Sequence, residues 1–304
     1  MREFLAIRID SKWKHLFYAF HKGKYLEDDV WSLEIDTSGK WFKWTRFLYS
    51  VLHKFGMPLF YGWRYKRFYS KEEIQNSRFF QIIPSRIFEP DGEECGTIYD
   101  DSTSCPLCGS GAKQSSPLIL KRYSIPRADL AMTIADGDEI IVSECFVKMV
   151  REHGLRGMKF LPVYSAFKEG HKLKYYQISP ISYVDVSTKT VFGINPFNLS
   201  EVDPPRTFTR WRKDGTTYKE YFPGKIYKCP NGDNMGLNLL SEAYIKSSPI
   251  LDGLDFFASR QTVGTRQGVI RPRHLLFCSN RMMRLIKENG LKGFQFEITH
   301  TKDE

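Results

Sequence analysis

Residues 140–163, IIVSECFVKMVREHGLRGMKFLPV, and residues 276–299, LFCSNRMMRLIKENGLKGFQFEIT, carry one pattern twice without a gap. Ser143 falls on Ser279, Phe146 on Met282, Val150 on Ile286 and Glu152 on Glu288, while Leu155, Gly157 and Phe160 fall on Leu291, Gly293 and Phe296. Matches held at fixed spacing over this length mark a duplication. Each copy reads as strand, helix, strand. The serine stands where its hydroxyl can cap the first free amides of a helix. Phe146, Met149 and Val150, like Met282, Leu285 and Ile286, recur at three- and four-residue steps and so share one helix face. Gly154 or Gly290 then supplies a left-handed residue to end the helix, and Leu155 or Leu291 the apolar contact that goes with it. Neither serine has the G-x-S-x-G setting of a hydrolase nucleophile, so the shared residues are structural.

Outward from the repeat, a hairpin is expected over RTFTRW and TTYKEYF with Asp214-Gly215 as its turn, and Pro204-Pro205 marks a break. These place a boundary at about residues 185–205. The expected organisation is an N-terminal aromatic and basic α+β segment (1–90), a first repeat (91–190) and a second repeat (191–304). The fold class is α+β: two diverged copies of a strand–helix–strand unit with additional antiparallel strands, plus an N-terminal α+β extension. In that extension Phe4 and Ala6 alternate with Arg8 and Asp10 as a strand, which is unlike a secretory signal. Trp44, Phe47, Leu48, Val51, Leu52 and Phe55 predict a helix from about 41 to 55 with its apolar face turned into a core.

The 304 residues are 41% hydrophobic and 15% aromatic, which excludes a disordered chain. The net charge of +10 suits nucleic acid, an anionic surface or an acidic protein, but the basic residues are scattered and do not choose among them. FLYSVLHKFGMPLFYG is broken by His53, Lys54 and Pro58 before it could span a bilayer. Trp63, Arg64, Tyr65, Lys66 and Arg67 mix aromatics with cations, as a stacking surface for bases or a partner-binding strip does. The same alternation describes a half-buried strand, and that reading outweighs the other. Gly264, Arg266, Gly268 and Arg271 read as the turn of a simple hairpin; the alternative, an anion-binding loop, lacks a phosphate-loop pattern and carries less weight.

Six cysteines without a signal segment point to a reducing compartment, and to metal ligands or buried thiols in place of a disulfide framework. Cys105-Pro-Leu-Cys108-Gly109 has the form of a zinc knuckle, in which two thiolates grip one ion while the glycine turns the backbone. Cys95 is the expected third ligand. Cys229, in CPNG, lies before the second copy as CPLCG lies before the first, like a knuckle that has lost one thiol, and is the candidate from elsewhere. Cys278 reads as core and Cys145 as surface.

With CPLCG and the S-x-x-x-V-x-x-V-R-E-x-G-L-x-G pattern in hand, residues 85–304 resemble the double-CXXCG family of bacterial proteins, described from myxobacterial paralogues and linked to immunity proteins of polymorphic toxin systems. The resemblance implies a cytoplasmic, non-enzymatic protein that neutralises a cognate toxin by binding it, with a structural zinc ion. One of the two namesake motifs is degenerate here. The +10 charge leads us to expect an acidic toxin surface. The competing expectation is a zinc-containing nucleic-acid-binding protein. Neither expectation involves membrane insertion.

Overall fold

The computed structural model describes residues 1–302 apart from 21–22, 28–29, 58, 136, 194, 198–205, 212–216, 223–227, 230 and 235–237. The expected Asp214-Gly215 turn and the Pro204-Pro205 break lie outside the described residues. The chain divides into two compact units, one built on Met1–Asn76 with short returns from Gly193–Glu201 and Asn238–Ser241, the other on the remainder.

The first unit is an antiparallel sheet made from β1 (Arg2–Asp10), β2 (Lys24–Glu27), β3 (Val30–Asp36) and β4 (Phe60–Phe68), in the order β2-β3-β1-β4. Alternation along β1 and β3 buries Leu5, Ile7, Ile9, Leu33 and Ile35 on one face. Helix α1 (Lys40–Lys54) and the short α2 (Lys71–Asn76) complete it. The extent of α1 matches the expectation, but its buried face is rotated. Thr45 and Leu52 are buried, and the Phe42 and Tyr49 rings pack tilted against Phe197, leaving Trp44, Phe47 and Phe55 exposed. The apolar stripe is wider than one contact can cover, and the aromatic flank turned to Phe197 takes the inner place.

From Ser77 the first half of the second unit runs β5 (Phe79–Pro84), β6 (Ile87–Phe88), β7 (Tyr99–Asp100), β8 (Lys113–Gln114), β9 (Ile119–Leu120), β10 (Leu130–Thr133), β11 (Ile140–Ser143), α3 (Glu144–Glu152) and β12 (Met158–Ser165). The chain continues through β13 (Lys172–Pro180), β14 (Tyr183–Val184), β15 (Phe192–Gly193), β16 (Arg206–Trp211), β17 (Thr217–Phe222) and β18 (Asn238–Leu239). It ends with β19 (Ala243–Lys246), β20 (Phe256–Val263), β21 (Arg273–Ser279), α4 (Asn280–Glu288) and β22 (Phe294–Lys302). The strands flanking the expected hairpin turn, β16 and β17, pair antiparallel.

Two six-stranded sheets follow, ordered β6-β10-β11-β13-β12-β9 and β14-β20-β21-β5-β22-β19. Position by position they are the same sheet, each with one strand taken from the other half of the chain. Gln177 of β13 sits opposite Ile141 and Leu161, and Gln81 of β5 opposite Phe277 and Glu297, the corresponding residues of the second copy. β5 and β13 share a sequence, FFQIIP and YYQISP. The duplicated unit therefore runs from β5 to β12 and again from β13 to β22. This corrects the expected boundaries at 90 and 190. Phe79, Phe80 and Ile82 are buried in the middle of a repeat sheet, and β13-β14 open the second copy instead of closing the first.

The helix caps are as the spacing predicted. Ser143 Oγ accepts from the Phe146 amide at 3.2 Å and Ser279 Oγ from the Met282 amide at 3.1 Å. Each hydroxyl also donates to an aspartate, Ser143 to Asp129 at 2.7 Å and Ser279 to Asp255 at 2.8 Å. The second oxygen of each aspartate crosses to the other copy: Asp129 accepts from the Lys292 amide and Asp255 from the Arg156 amide. The turns after the two helices are thus held reciprocally. Gly157 and Gly293 are required there, because a Cβ would lie 1.8 Å from the Phe256 carbonyl oxygen and 2.0 Å from that of Leu130. No described helix is long and apolar enough to cross a membrane.

Candidate metal centre

Each copy carries a cysteine turn between corresponding strands of its sheets, β6 and β9 in the first copy and β14 and β19 in the second. β7 and β8 pair antiparallel, and the segment they enclose brings the chain round through Cys105–Gly109. Within it the Gly109 amide donates to the Cys105 carbonyl at 2.8 Å and the Cys105 amide to the Ser110 carbonyl at 2.7 Å. In the second copy the Gly232 amide donates to the Cys229 carbonyl at 2.9 Å and the Cys229 amide to the Asp233 carbonyl at 2.9 Å. Gly109 and Gly232 have φ of 78° and 85°. The two turns have the same hydrogen-bond plan, and the second is one residue shorter. With one residue and one cysteine fewer, the matching hydrogen bonds set Gly232 in the place of Gly109 and Asp233 in that of Ser110.

The turns meet. Cys105, Cys108 and Cys229 are buried, and their sulfur atoms lie within 4.8 Å of one another. Three convergent thiols suit a thiophilic ion, since tetrahedral Zn–S bonds of ~2.3 Å set the sulfurs about 3.8 Å apart, a contraction of an ångström or less. Burial pushes the Cys108 and Cys229 thiols up. Burial opposes ionisation of Cys105 too, but hydrogen bonds from the Cys108 and Leu107 amides, and from the other two thiols, hold it below the usual range. The knuckle amides thus favour a thiolate on Cys105, as metal ligation requires.

The site is fixed from both sides. The Arg266 amide donates to the Cys108 carbonyl at 2.8 Å, and the Asn234 amide to the Thr262 carbonyl at 2.8 Å. The arginines of the Gly264–Arg271 turn serve this framework. Arg266 pairs with Asp101 at 2.6 Å, and the buried Arg271 reaches Asp101 and Glu93, each at 2.8 Å, with its guanidinium 4.2 Å above the Tyr99 ring.

Cys95 is not part of the cluster, and Cys229 takes the third place expected for it. The Cys95 amide is tied back to the Asp91 and Gly92 carbonyls, and its thiol is raised by burial in a setting it shares with Lys121. Nearness in sequence to CPLCG counts for less than equivalence in the repeat. Cys278 is buried and Cys145 exposed, as expected.

The Trp63–Arg67 strip forms β4 and is not a stacking platform. Trp63 and Tyr65 are each 7% exposed, and the Tyr65 hydroxyl donates to the Pro196 carbonyl at 2.6 Å. Buried Arg67 bonds Glu3 and the Leu240 carbonyl, each at 2.8 Å, and Lys66 pairs with Glu34; Arg64 is the one side chain of the five that is exposed. Two residues absent from the expected site stand beside the sulfurs, Ser110 and Asp233. The signal for them was the Gly-Ser and Gly-Asp that follow the two motifs. No protein-family model matches the chain, and no curated protein shows significant sequence similarity to it.

Proposed function

We propose that the chain is a non-enzymatic immunity protein that neutralises a toxin by binding an acidic surface through helix α1, while a structural zinc ion joins the two cysteine turns. The observation that carries the binding reading is the outer face of α1. Phe47 and Phe55 are 58% and 73% exposed, Trp44 lies 5.8 Å from the Phe47 ring, and Lys40, Lys43, Arg46 and Lys54 stand on the same helix with no acidic residue. Exposed aromatics ringed by one sign of charge supply affinity and steering respectively. The resemblance to the double-CXXCG family supports an immunity role. Zinc is supported by the all-sulfur convergence in a buried position.

The test is to search the neighbouring genes for a secreted toxin and to co-express it with the chain. The intact chain restores growth, and the double variant W44A/F47A, still folded, binds the purified toxin domain roughly 30-fold or more weakly. Association slows as salt rises while dissociation changes little. Unchanged toxin binding by W44A/F47A would remove α1 from the interface. Tight, salt-dependent binding of random nucleic acid without growth rescue would favour the competing function.

A further inference from the structure

We infer that Asp233 is the fourth ligand of the metal centre, completing a Cys105, Cys108, Cys229, Asp233 site; this rests on the reading of the three thiols as a metal centre. The second cysteine turn is one residue shorter and holds one thiol, and the residue following its glycine, Asp233, turns its carboxylate to the sulfurs. Asp233 is buried. Its Oδ2 lies 3.6 Å from Cys229 Sγ and 4.0 Å from Cys108 Sγ, close to the S···O separation of about 3.5 Å that Zn–S and Zn–O bonds of ~2.3 and ~2.0 Å impose on a tetrahedron. Asp233 falls outside the set whose ligand atoms all lie within 4.8 Å of one another, so ligation draws it towards Cys105.

The carboxylate is also aimed. Oδ1 accepts from the Thr262 amide at 2.7 Å and Oδ2 from the Ser110 hydroxyl at 2.8 Å. These are the second contacts that orient a ligating carboxylate. Ser110 is the residue of the first turn that corresponds to Asp233 in the second, so the two turns meet through equivalent positions. Three thiolates and one carboxylate close the coordination sphere, which is the form of a structural site.

The experiment uses the full chain. Metal content is measured after purification without added zinc, and the metal-free protein is titrated with Co(II), whose visible d–d bands report donor type and whose sulfur charge-transfer intensity counts Co–S bonds. The intact chain is expected to hold one ion and give a three-sulfur spectrum. D233A should bind Co(II) at least tenfold more weakly with shifted d–d bands. D233C should raise the charge-transfer intensity by about a third, towards four sulfurs. S110A should keep the wild-type spectrum, which separates ligation from positioning. A D233A protein with unchanged spectrum and affinity, or a D233C protein with no gain in sulfur intensity, overturns the assignment of Asp233. A folded wild-type chain that binds neither metal overturns the reading of the thiols themselves. Should D233A fail to fold, D233C decides alone.

Discussion

Asp91 shows how one buried side chain sets a pH dependence. It is fully buried; Oδ1 accepts from the Glu94 amide at 2.9 Å, and Oδ2 is buried without a hydrogen-bond partner among the described residues. Burial first, with the nearby negative charges of Glu139 and Glu94, raises its carboxyl to about 6. Glu139, by contrast, receives the Gly92 amide and the Tyr99 and Thr133 hydroxyls. Because the folded pKa of Asp91 lies above the unfolded value, folding favours the proton. The contribution is most favourable below about pH 4, worsens as pH rises from there through 6, and is fully unfavourable above. D91N should therefore stabilise the protein at pH 8 by on the order of 3 kcal/mol, and the gain should vanish towards pH 4. Urea denaturation of both proteins at the two pH values checks it, and an equal difference at both would refute the assignment. At this scale the sequence was legible where chemistry is local. Cys105 and Cys108 announce themselves by spacing, and Ser143 and Ser279 by position. Asp233 and Asp91 do not, because burial and the approach of a distant loop give them their character.

At the scale of elements, the strand–helix–strand repeat was readable because both copies keep the same length from cap to turn. The central strands were not. FFQIIP and YYQISP are plainly similar, but each lies at a different distance from its own helix, so an ungapped comparison passes over them. The exposed face of α1 was hidden for another reason, since periodicity shows that an apolar stripe exists and not which part of it finds a neighbour. The glycines of the shared turn show the same limit. Gly154 and Gly157 look alike in sequence, and both have positive φ, at 58° and 115°. A Cβ on Gly154 meets nothing within 4 Å, whereas one on Gly157 enters the Phe256 backbone. G154A should cost about 1–2 kcal/mol, the left-handed penalty alone. G157A should cost more than about 4 kcal/mol, because the backbone of the facing strand must move. Thermal and denaturant unfolding distinguish the two, and similar losses would mean that the close approach of the two copies contributes little.

For the molecule as a whole, the exchange of β5 and β13 makes the two repeats one folding unit. The N-terminal half lacks the middle strand of its own sheet and fills the middle of the other, and the C-terminal half is placed in the same way. The cysteine cluster repeats this division, with Cys105 and Cys108 from one half and Cys229 from the other. Residues 166–171, between β12 and β13, are exposed. A protease site introduced at Phe167–Gly170 therefore allows the chain to be cut between the halves without removing a strand. The pieces 1–169 and 170–304 should remain together in gel filtration, because separation strips both sheets of a central strand and exposes buried Phe79, Phe80 and Ile178. The cut protein should unfold in one transition whose midpoint rises with protein concentration, as for any bimolecular assembly. A chelator should lower that midpoint further, since the proposed ion would then link two separate chains. Two folded pieces parting in buffer would show instead that each half carries a complete sheet, and the exchanged-strand arrangement would be lost with it.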